Sequence, residues 1–445
     1  MSPGLVAQFP RTAAGFGVRN AQLALLDHTG VRTARVGGPE AAELRFPFAS
    51  VTKLFTATVA LQLVRDGDLD LDTALGRYGE EFAAAPNGLG ATVTLRHLLS
   101  HTSGLVCSLD DEDRTPRGFA AAAGEPPLLF RPGSAFSYSN VGFALVGRLI
   151  EAAAGLSWRE AVDTFLLGPL GITPAHLPAP GPSAPGPAIA AGHAVTGAGA
   201  VPVDVRVPAA MAPAAALAGT AEDLVAFARL HLADRDEAYR ALLDEDGVAA
   251  MRAPVSGAEP YGLADGFGLG WARYGAADEP WLGLDAMAGG TTCNLRVQPG
   301  TGSVLALVTD STAGLALWRE LAERLRAEGR DVGAPPVGRS EAHPAPAGDA
   351  DLAGTWANGA MVYRLTGGAG APLHLEDDTG ARYRLDLDGR GRFSAHRLDF
   401  PEAPYAGRFL PDPETGGSPL LQFAGRVLRR ESPYGETTGK FRTAG

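Results

Sequence analysis

The segment Ser50-Val51-Thr52-Lys53 places a hydroxyl and an amine three residues apart at the start of a predicted helix. Pro47 is excluded from a helix interior, so the helix is predicted to run from Ser50 to about Arg65. Residues three apart share one face of a helix. Serine needs a base to remove its proton, and a lysine amine can be that base where burial or a neighbouring cation lowers its pKa. The spacing therefore favours Ser50 as nucleophile and Lys53 as base, against the alternative of a capping serine and a solvated lysine.

A second polar pair, Tyr138 and Asn140, lies two residues apart just before a helix predicted over 141–154. On a short non-helical stretch, both side chains can be aimed at one point. Tyr138 could relay a proton, and Asn140 could hydrogen-bond a lysine or a substrate amide. The alternative is a buried tyrosine in a turn and a helix-capping asparagine. His101, flanked by hydroxyl residues, is interpreted as a structural histidine that fixes a loop.

The composition indicates a globular chain with a sizeable core. Its 445 residues suffice for two or three domains, and 45% of them are hydrophobic while 20% are charged. The formal net charge of −12, with both signs interspersed, argues against nucleic acid and anionic membrane surfaces as partners. Cys107 and Cys293 fit no metal or redox spacing and are predicted to be buried free thiols. Residues 1–10 show no secretory signal, so we expect a cytoplasmic protein.

The order of predicted elements indicates an α+β domain followed by a β domain. A hairpin over 16–38, a long helical middle, strands between 266 and 309 and a closing helix at 316–328 can form one antiparallel sheet with helices on both sides. Residues 333–350 are rich in Pro, Gly and Ala and are predicted to be a linker. Short strands with regular turns between 352 and 430 predict a small barrel or sandwich. The predicted domains are therefore 1–332 and 351–445.

Together these motifs resemble the serine hydrolases related to class C β-lactamases and D,D-peptidases. The resemblance covers about residues 12–330 and includes the Leu-Leu-Ser-His-Thr-Ser-Gly-Leu segment at 98–105 and the Arg-Pro-Gly segment that leads into Tyr138. It implies an antiparallel sheet flanked by helices, with a helical lobe. It also implies catalytic roles for Ser50, Lys53, Tyr138 and Asn140.

A closer resemblance includes the C-terminal part. Segments 263–269, 289–296 and 425–430 are similar to the penicillin-binding-protein-type thioesterases, of which the surugamide cyclase is an example. That family implies a C-terminal lipocalin-like barrel and action in trans on a peptidyl thioester. The partner would be a phosphopantetheine carrier domain of a nonribosomal peptide synthetase, and the product a head-to-tail cyclic peptide. No cofactor is implied, and the sequence shows no metal cluster.

The third motif departs from the family pattern. Relatives have His-x-Gly or Lys-Thr-Gly where this chain has Leu284, Asp285 and Ala286, followed by the retained Gly289 and Gly290. We expect these five residues to line the substrate site, although Leu284 cannot move a proton. Arg426 in the barrel is expected to bind an acidic or carbonyl group of the substrate, with a solvated basic edge as the alternative.

The resemblance implies a two-stage mechanism. Ser50 would attack the thioester with Lys53 as base and Tyr138 as relay, and the oxyanion would bind backbone N–H groups of Ser50 and of the strand after Ala286. The peptide's own amine would then attack the acyl-enzyme, which closes the ring. The alternatives are a hydrolase of the same fold, such as an esterase, a D-amino-acid peptidase or a hydrolytic thioesterase, and a peptide-binding homologue with weakened catalysis.

Overall fold

The computed structural model of the protein describes residues 3–109, 114–180, 187–196, 199–275, 279–333, 352–368, 371–388, 391–399, 404–410 and 420–431. The predicted linker at 333–350 lies outside these residues except for its first position. Within the described ranges, no single helix is both long and apolar enough to cross a membrane, although two consecutive segments, Asn140–Ala154 and Trp158–Leu167, pass that test as a pair bent by 77°.

A seven-stranded antiparallel sheet forms the centre of the N-terminal part, in the order β2-β1-β11-β10-β9-β8-β7. Its strands are β1 Ala21–Asp27, β2 Gly30–Val36, β7 Gly266–Phe267, β8 Ala272–Tyr274, β9 Trp281–Ala288, β10 Thr291–Gln298 and β11 Ser303–Thr309. Two short ribbons lie outside it, formed by β3 Phe46–Pro47 with β6 Ala218–Gly219 and by β4 Gly192–Thr196 with β5 Gly199–Val203. The predicted fold class is confirmed by this sheet and by the barrel described below.

Helices cover both faces of the sheet. They are α1 Pro3–Gly15, α2 Thr52–Arg65, α3 Glu80–Ala83, α4 Leu89–Thr92, α5 Leu95–Leu99, α6 Pro116–Ala122, α7 Asn140–Ala154, α8 Trp158–Val162, α9 Ala212–Ala215, α10 Ala221–Ala228, α11 Glu237–Leu242, α12 Glu245–Arg252 and α13 Gly314–Ala327. Shorter 3₁₀ turns are Pro39–Ala42, Ala49–Val51, Leu75–Arg77, Ala209–Met211 and Arg229–His231, and Asp163–Leu167 is a π-helix. α1 and α13 pack on one face around Phe9 and Leu321, whereas α2 and the helical lobe cover the other. Sequence reasoning missed α1, whose interior contains Pro10.

The long helix predicted at Ser50 is present, but it is not amphipathic. Every residue of α2 from Thr52 to Leu63 is buried, because the sheet packs on one side of it and the lobe on the other. Its polar side chains are paired inside the core. For example, Thr56 Oγ1 donates to the carbonyl of Pro213 at 2.7 Å, and Gln62 Nε2 donates to the carbonyl of Leu242 at 3.0 Å.

The C-terminal part is a closed eight-stranded antiparallel barrel. Its strands are β12 Gly354–Asn358, β13 Met361–Gly368, β14 Ala371–Asp377, β15 Arg382–Leu387, β16 Arg392–Arg397, β17 Tyr405–Leu410, β18 Leu420–Phe423 and β19 Arg426–Arg430. β12, which the sequence did not reveal as a strand, closes the barrel by pairing with β19. An apolar cluster that includes Trp356 and Phe393 fills the barrel, while Leu420 and Val427 belong to the core of the N-terminal part. The two parts therefore share apolar packing.

Candidate active site

Ser50 lies in a tight turn that precedes α2. Ala49 has a φ of +47°, an uncommon conformation for a residue with a β-carbon, and its backbone is strained. The surrounding structure holds this turn in place. The Phe48 N–H donates to the carbonyl of Leu217 at 2.8 Å, and the Leu217 N–H donates to Thr52 Oγ1 at 3.1 Å. Ser50 itself stays partly exposed, so a substrate can reach its hydroxyl.

The amine of Lys53 is buried among three oxygen atoms. Its Nζ lies 3.2 Å from Ser50 Oγ, 2.8 Å from Asn140 Oδ1 and 2.9 Å from the carbonyl oxygen of Ala214. A carbonyl or amide oxygen can only accept a hydrogen bond, so in the neutral amine two N–H groups point at Asn140 and Ala214. The nitrogen lone pair then faces Ser50 Oγ. This geometry suits removal of the serine proton, and the Ala214 carbonyl, as a backbone group, has no sequence signature.

Asn140 is free to bind Lys53 because another residue caps the helix. Ser139 is the N-cap of α7, and its hydroxyl accepts from the Gly142 N–H at 3.0 Å and donates to the carbonyl of Val106 at 2.7 Å. Asn140 follows as the first helical residue. The alternative of a capping asparagine is therefore wrong, and the side-chain oxygen of Asn140 reaches the amine of Lys53.

Tyr138 is buried next to that amine. Lys53 Nζ lies 5.0 Å from the centre of the Tyr138 ring, and Tyr138 is 8% exposed. The ring packs against the imidazole of His101, with 4.3 Å between ring centres. The structure thus brings Ser50, Lys53, Tyr138 and Asn140 together from two separate segments of the chain.

His101 supports this group from behind. Its Nδ1 accepts from the Ser139 N–H at 3.1 Å, and its backbone has a φ of +58°. Burial, and then the positive charges of Lys53 and Arg426, hold the pKa of His101 well below its usual value. A neutral, buried imidazole that binds a backbone N–H fits the interpretation of a structural residue.

Leu284 and Ala286 lie on the face of β9 that looks toward α2. Each is 4% exposed and belongs to the apolar core, and β9 packs against the Ala49–Val51 turn. Where relatives have a histidine or a lysine, this site has an apolar wall. That wall lowers the local dielectric and excludes water.

Asp285 does not line the site, which corrects the expectation from sequence. Its side chain lies on the opposite face of the sheet, where its two carboxylate oxygens accept from Arg296 at 2.9 and 2.8 Å and one of them accepts from Asn294 at 2.8 Å. Arg296 is fully buried and stacks on the ring of Tyr274, with 3.8 Å from its guanidinium carbon to the ring centre. Alternation along a strand explains the result, because neighbours of Leu284 must face the other way.

Gly289 and Gly290 form the turn between β9 and β10, with φ values of +53° and +76°. A β-carbon at Gly289 would meet Val205 at 1.6 Å, and one at Gly290 would meet the backbone of His193 at 2.5 Å. The chain's own residues therefore fill the space in which a substrate contact was expected. These glycines allow the β4–β5 ribbon to pack on the turn.

Arg426 reaches the site from the barrel. Its guanidinium carbon lies 5.3 Å from the centre of the Tyr138 ring, and its Nε donates to Cys107 Sγ at 3.3 Å. Burial lowers the pKa of Arg426, but Cys107 and Tyr138 raise it by more, so the guanidinium keeps its charge. Arg426 is held against Tyr138 and Cys107 and does not lie on a solvated basic edge, which was the alternative.

The two cysteines are free and buried, as predicted. Burial raises the pKa of Cys293 well above its usual value, so that thiol is inert. In the part of the chain that the structure describes, no group of three or more His, Cys, Asp or Glu side chains could hold a metal ion.

The comparisons with known proteins agree with this geometry. The sequence matches the beta-lactamase family over residues 8–330. The chain belongs to the beta-lactamase family. It is 34% identical to Penicillin-binding protein 4 of Amycolatopsis lactamdurans over 322 residues, which cover 70% of this chain and 84% of that protein. The relatives in this family are serine hydrolases and acyltransferases, and the chain is an enzyme of that class.

The similarity to SurE extends through the barrel. The crystal structure of SurE is 41% identical, covers 96% of this chain and 98% of its own, and superposes with a TM-score of 0.85. The structure of SurE with D-Leu is 40% identical, covers 96% and 99% of the two chains, and superposes with a TM-score of 0.82. The resemblance deduced from the motifs is thereby confirmed, including the lipocalin-like barrel.

Proposed function

We propose that this protein is a stand-alone thioesterase and peptide cyclase that releases a nonribosomal peptidyl thioester by head-to-tail macrolactamisation. The observation that carries the proposal is the amine of Lys53, which two acceptors orient toward Ser50 Oγ at 3.2 Å. The similarity to SurE over both domains supports a peptide substrate. The D-Leu in one SurE structure supports a D-configured residue at the C-terminus of that peptide.

The first stage forms the acyl-enzyme. Lys53 takes the Ser50 proton while Ser50 Oγ attacks the thioester carbonyl, and the oxyanion binds the N–H of Ser50 and an N–H of β9 beyond Ala286. The C–S bond then breaks, and the pantetheine sulfur leaves with the proton through Lys53 and Tyr138. A peptidyl ester on Ser50 and a free carrier thiol result.

The second stage closes the ring. The peptide's N-terminal amine attacks the ester carbonyl while Tyr138, assisted by Lys53, takes a proton from it. The C–N bond forms, the C–O bond to Ser50 breaks, and the serine oxygen recovers the proton. Amine attack outruns hydrolysis where the amine is held near the ester and water is excluded, an advantage of up to ~7–11 kcal/mol for ideal alignment.

The surroundings of the site favour amine attack. Leu284 and Ala286 supply an apolar wall on one side, and Arg426 of the barrel lies against Tyr138 on another. Its guanidinium is available to a peptide carbonyl or carboxylate. The proposal also includes a carrier domain of a nonribosomal peptide synthetase as partner and the cytoplasm as location, because such carriers present the thioester there.

A hydrolase of the same fold is the second candidate. The similarity to Penicillin-binding protein 4 supports it. In that case water would attack the Ser50 ester, and the product would be a linear acid.

Intact-mass analysis with peptidyl-pantetheine substrates tests the proposal. We expect wild-type protein to gain the mass of one peptidyl group and to release a cyclic product, whereas Ser50→Ala gains no mass and gives no product. Normal turnover by Ser50→Ala would refute the mechanism. A linear acid as the sole product would establish the hydrolase instead.

A further inference from the structure

The side chain of Asn358, in barrel strand β12, is fully buried between the two parts of the protein. Its Oδ1 accepts from the Cys107 N–H at 2.5 Å, and its Nδ2 donates to the Val427 carbonyl at 2.8 Å and to Ser137 Oγ at 3.3 Å. The partners fix the orientation of the amide, because a flip would place N–H against N–H and carbonyl against carbonyl.

Each partner of Asn358 is adjacent to a residue of the site. Ser137 precedes Tyr138, and Val427 follows Arg426. The carbonyl of Cys107 accepts from the Asn140 N–H at 3.0 Å, so the third bond leads to the residue that binds Lys53. One amide therefore connects the backbones that carry Tyr138, Asn140 and Arg426.

The barrel supplies further bonds to the same segment. The Tyr138 N–H donates to the carbonyl of Gly425 at 2.9 Å, and the Val427 N–H donates to Ser137 Oγ at 3.1 Å. Gln422 Nε2 donates to the carbonyl of Phe136 at 2.9 Å. The turn between β18 and β19 has positive φ at both central residues, +47° at Ala424 and +72° at Gly425, which is the type I′ geometry of a tight hairpin. A rigid hairpin thus presents these groups to the Tyr138 segment.

We propose that Asn358 is a positioning residue of the acyl-transfer site, which makes the barrel part of the catalytic structure. A buried amide is stable only when its hydrogen bonds are satisfied. Here two of the three go to residues next to Tyr138 and Arg426, and the third goes to Cys107, whose carbonyl accepts from the Asn140 N–H. An apolar replacement would leave the Cys107 N–H and the Val427 carbonyl unpaired, and the Tyr138 segment would shift to find other partners. A shift of about 1 Å at a catalytic group can cost about 10²-fold in rate.

This inference rests on the proposed Ser50 chemistry but not on the identity of the peptide. The test therefore uses a small activated ester, p-nitrophenyl butyrate, and measures the acylation rate from pH 6 to 10. We expect Asn358→Ala to lower the acylation kcat by about 10- to 100-fold with little change in KM, and to shift the pH profile, because Tyr138 moves relative to Lys53. Leu375→Ala is the matched control, since Leu375 is fully buried in the barrel core.

We expect Leu375→Ala to lower the melting temperature while its rate stays within threefold of wild type and its pH profile is unchanged. Ser137→Ala leaves every barrel residue unchanged but removes the hydroxyl that accepts from Asn358 Nδ2 and from the Val427 N–H. This variant tests the inference if Asn358→Ala does not fold. We expect Ser137→Ala to slow acylation about tenfold. A folded Asn358→Ala or Ser137→Ala protein with a rate within threefold of wild type would overturn the inference. The same loss of rate and shifted profile in Leu375→Ala would also overturn it.

Failure of the proposed function gives a different pattern. If wild type reacts with the ester but not with peptidyl thioesters, the peptide substrate is refuted. The ester rates of Asn358→Ala and Leu375→Ala can still be compared with that of wild type. Wild type that reacts with neither would refute both.

Discussion

At the scale of single residues, the site is defined by what one amine contacts. Lys53 Nζ has three oxygen partners, of which two can only accept, and this fixes the direction of its lone pair in the neutral form. The missing histidine of the third motif leaves an apolar wall at Leu284 instead of a second proton carrier. Both features lead to tests by single substitutions.

Lys53→Arg should lower the rate of acylation by orders of magnitude. A guanidinium cannot act as a base near neutral pH, and its planar group does not fit among Ser50, Asn140 and the Ala214 carbonyl. Stopped-flow acylation with an activated ester measures the effect, with circular dichroism as the control for folding. A rate within about tenfold of wild type, or ~1.4 kcal/mol, would remove Lys53 from the role of base.

Leu284→His should raise the acylation rate, by roughly 10²-fold if the imidazole acts as in relatives, and should increase the share of linear product. An imidazole can hydrogen-bond developing charge, and it also brings water into an apolar pocket. Leu284→Phe is the matched control, because it adds a ring without a proton carrier. Chromatographic measurement of cyclic and linear products gives the ratio. If Leu284→His is inert, the pocket has been rebuilt around leucine.

His101 and His231 should make the protein less stable in acid. Burial first, and then nearby positive charges, hold the pKa of both histidines well below the usual value in the folded state. The unfolded chain therefore binds more protons below pH ~6.5, and the free energy of unfolding falls by up to ~1.4 kcal/mol per pH unit for each histidine. Urea unfolding at pH 7, 6 and 5 measures the slope.

The matched variants are His101→Asn, which tolerates a positive φ, and His28→Gln at an exposed position. Between pH 6.5 and 5, the free energy of unfolding of His101→Asn should fall less steeply with decreasing pH than that of wild type, by the contribution of one histidine. For His28→Gln, it should fall as steeply as for wild type. An unchanged slope in His101→Asn would refute the assignment.

At the scale of elements, successive residues of β9 face opposite sides of the sheet. One side faces the candidate site, and the other carries a buried ion pair. Leu284 and Ala286 face α2, whereas Asp285 faces the α13 side and binds the buried guanidinium of Arg296. Arg296 Nε in turn donates to the carbonyl of Val332 at 3.1 Å. The pair thus connects the strand of the third motif to the end of the N-terminal part.

Asp285→Ala should destabilise the fold without altering the chemistry. It leaves Arg296 buried without its carboxylate, which costs about 3–5 kcal/mol. The acylation rate of the protein that remains folded should match wild type. Asp386→Ala, which breaks a surface pair with Arg384, is the comparison and should cost less than about 1 kcal/mol. Chemical denaturation measures the stability of both variants, and ester kinetics measure their acylation rates. A large drop in the acylation rate of Asp285→Ala would show that Asp285 takes part in the site.

At the scale of the whole molecule, the barrel and the hydrolase part share one interface. Leu420 and Val427 belong to the larger core, and Asn358 and Gln422 are buried with bonds to the Tyr138 segment. An ion pair between Arg408 and Glu259 with 3.0 Å between Nη1 and Oε2 lies at its edge. The barrel is thus packed into the protein rather than tethered beside it.

The full chain should consequently unfold in one calorimetric transition. Separation of the barrel would expose Leu420 and Val427 and leave buried polar groups unpaired, so neither part melts alone. Gln422→Ala removes the hydrogen bonds from Nε2 to the carbonyls of Phe136 and Glu259 and should broaden or split the transition. Arg384→Ala, at an exposed position of the barrel, should not. Two well-separated transitions in wild type would contradict the shared interface.

Much of this protein follows from local sequence. The Ser50 and Lys53 spacing, the Tyr138 and Asn140 pair, the hairpin at β1 and β2, and seven of the eight barrel strands depend on periodicity and turn residues within short windows. These are interactions between near neighbours, and a single sequence records them. The family resemblance added the expected barrel class and the roles of the site residues.

Tertiary structure decided the rest, because those features depend on residues distant in the chain. The partner of Asp285, the buried guanidinium of Arg296, is known only from the pairing of β9 with β10. The burial of α2 depends on the lobe that covers its outer face. The carbonyl of Ala214 is a backbone group, so the residue type at that position does not predict its hydrogen bond with Lys53. Asn358 connects to the Tyr138 segment only because the barrel docks there, across more than two hundred residues of sequence.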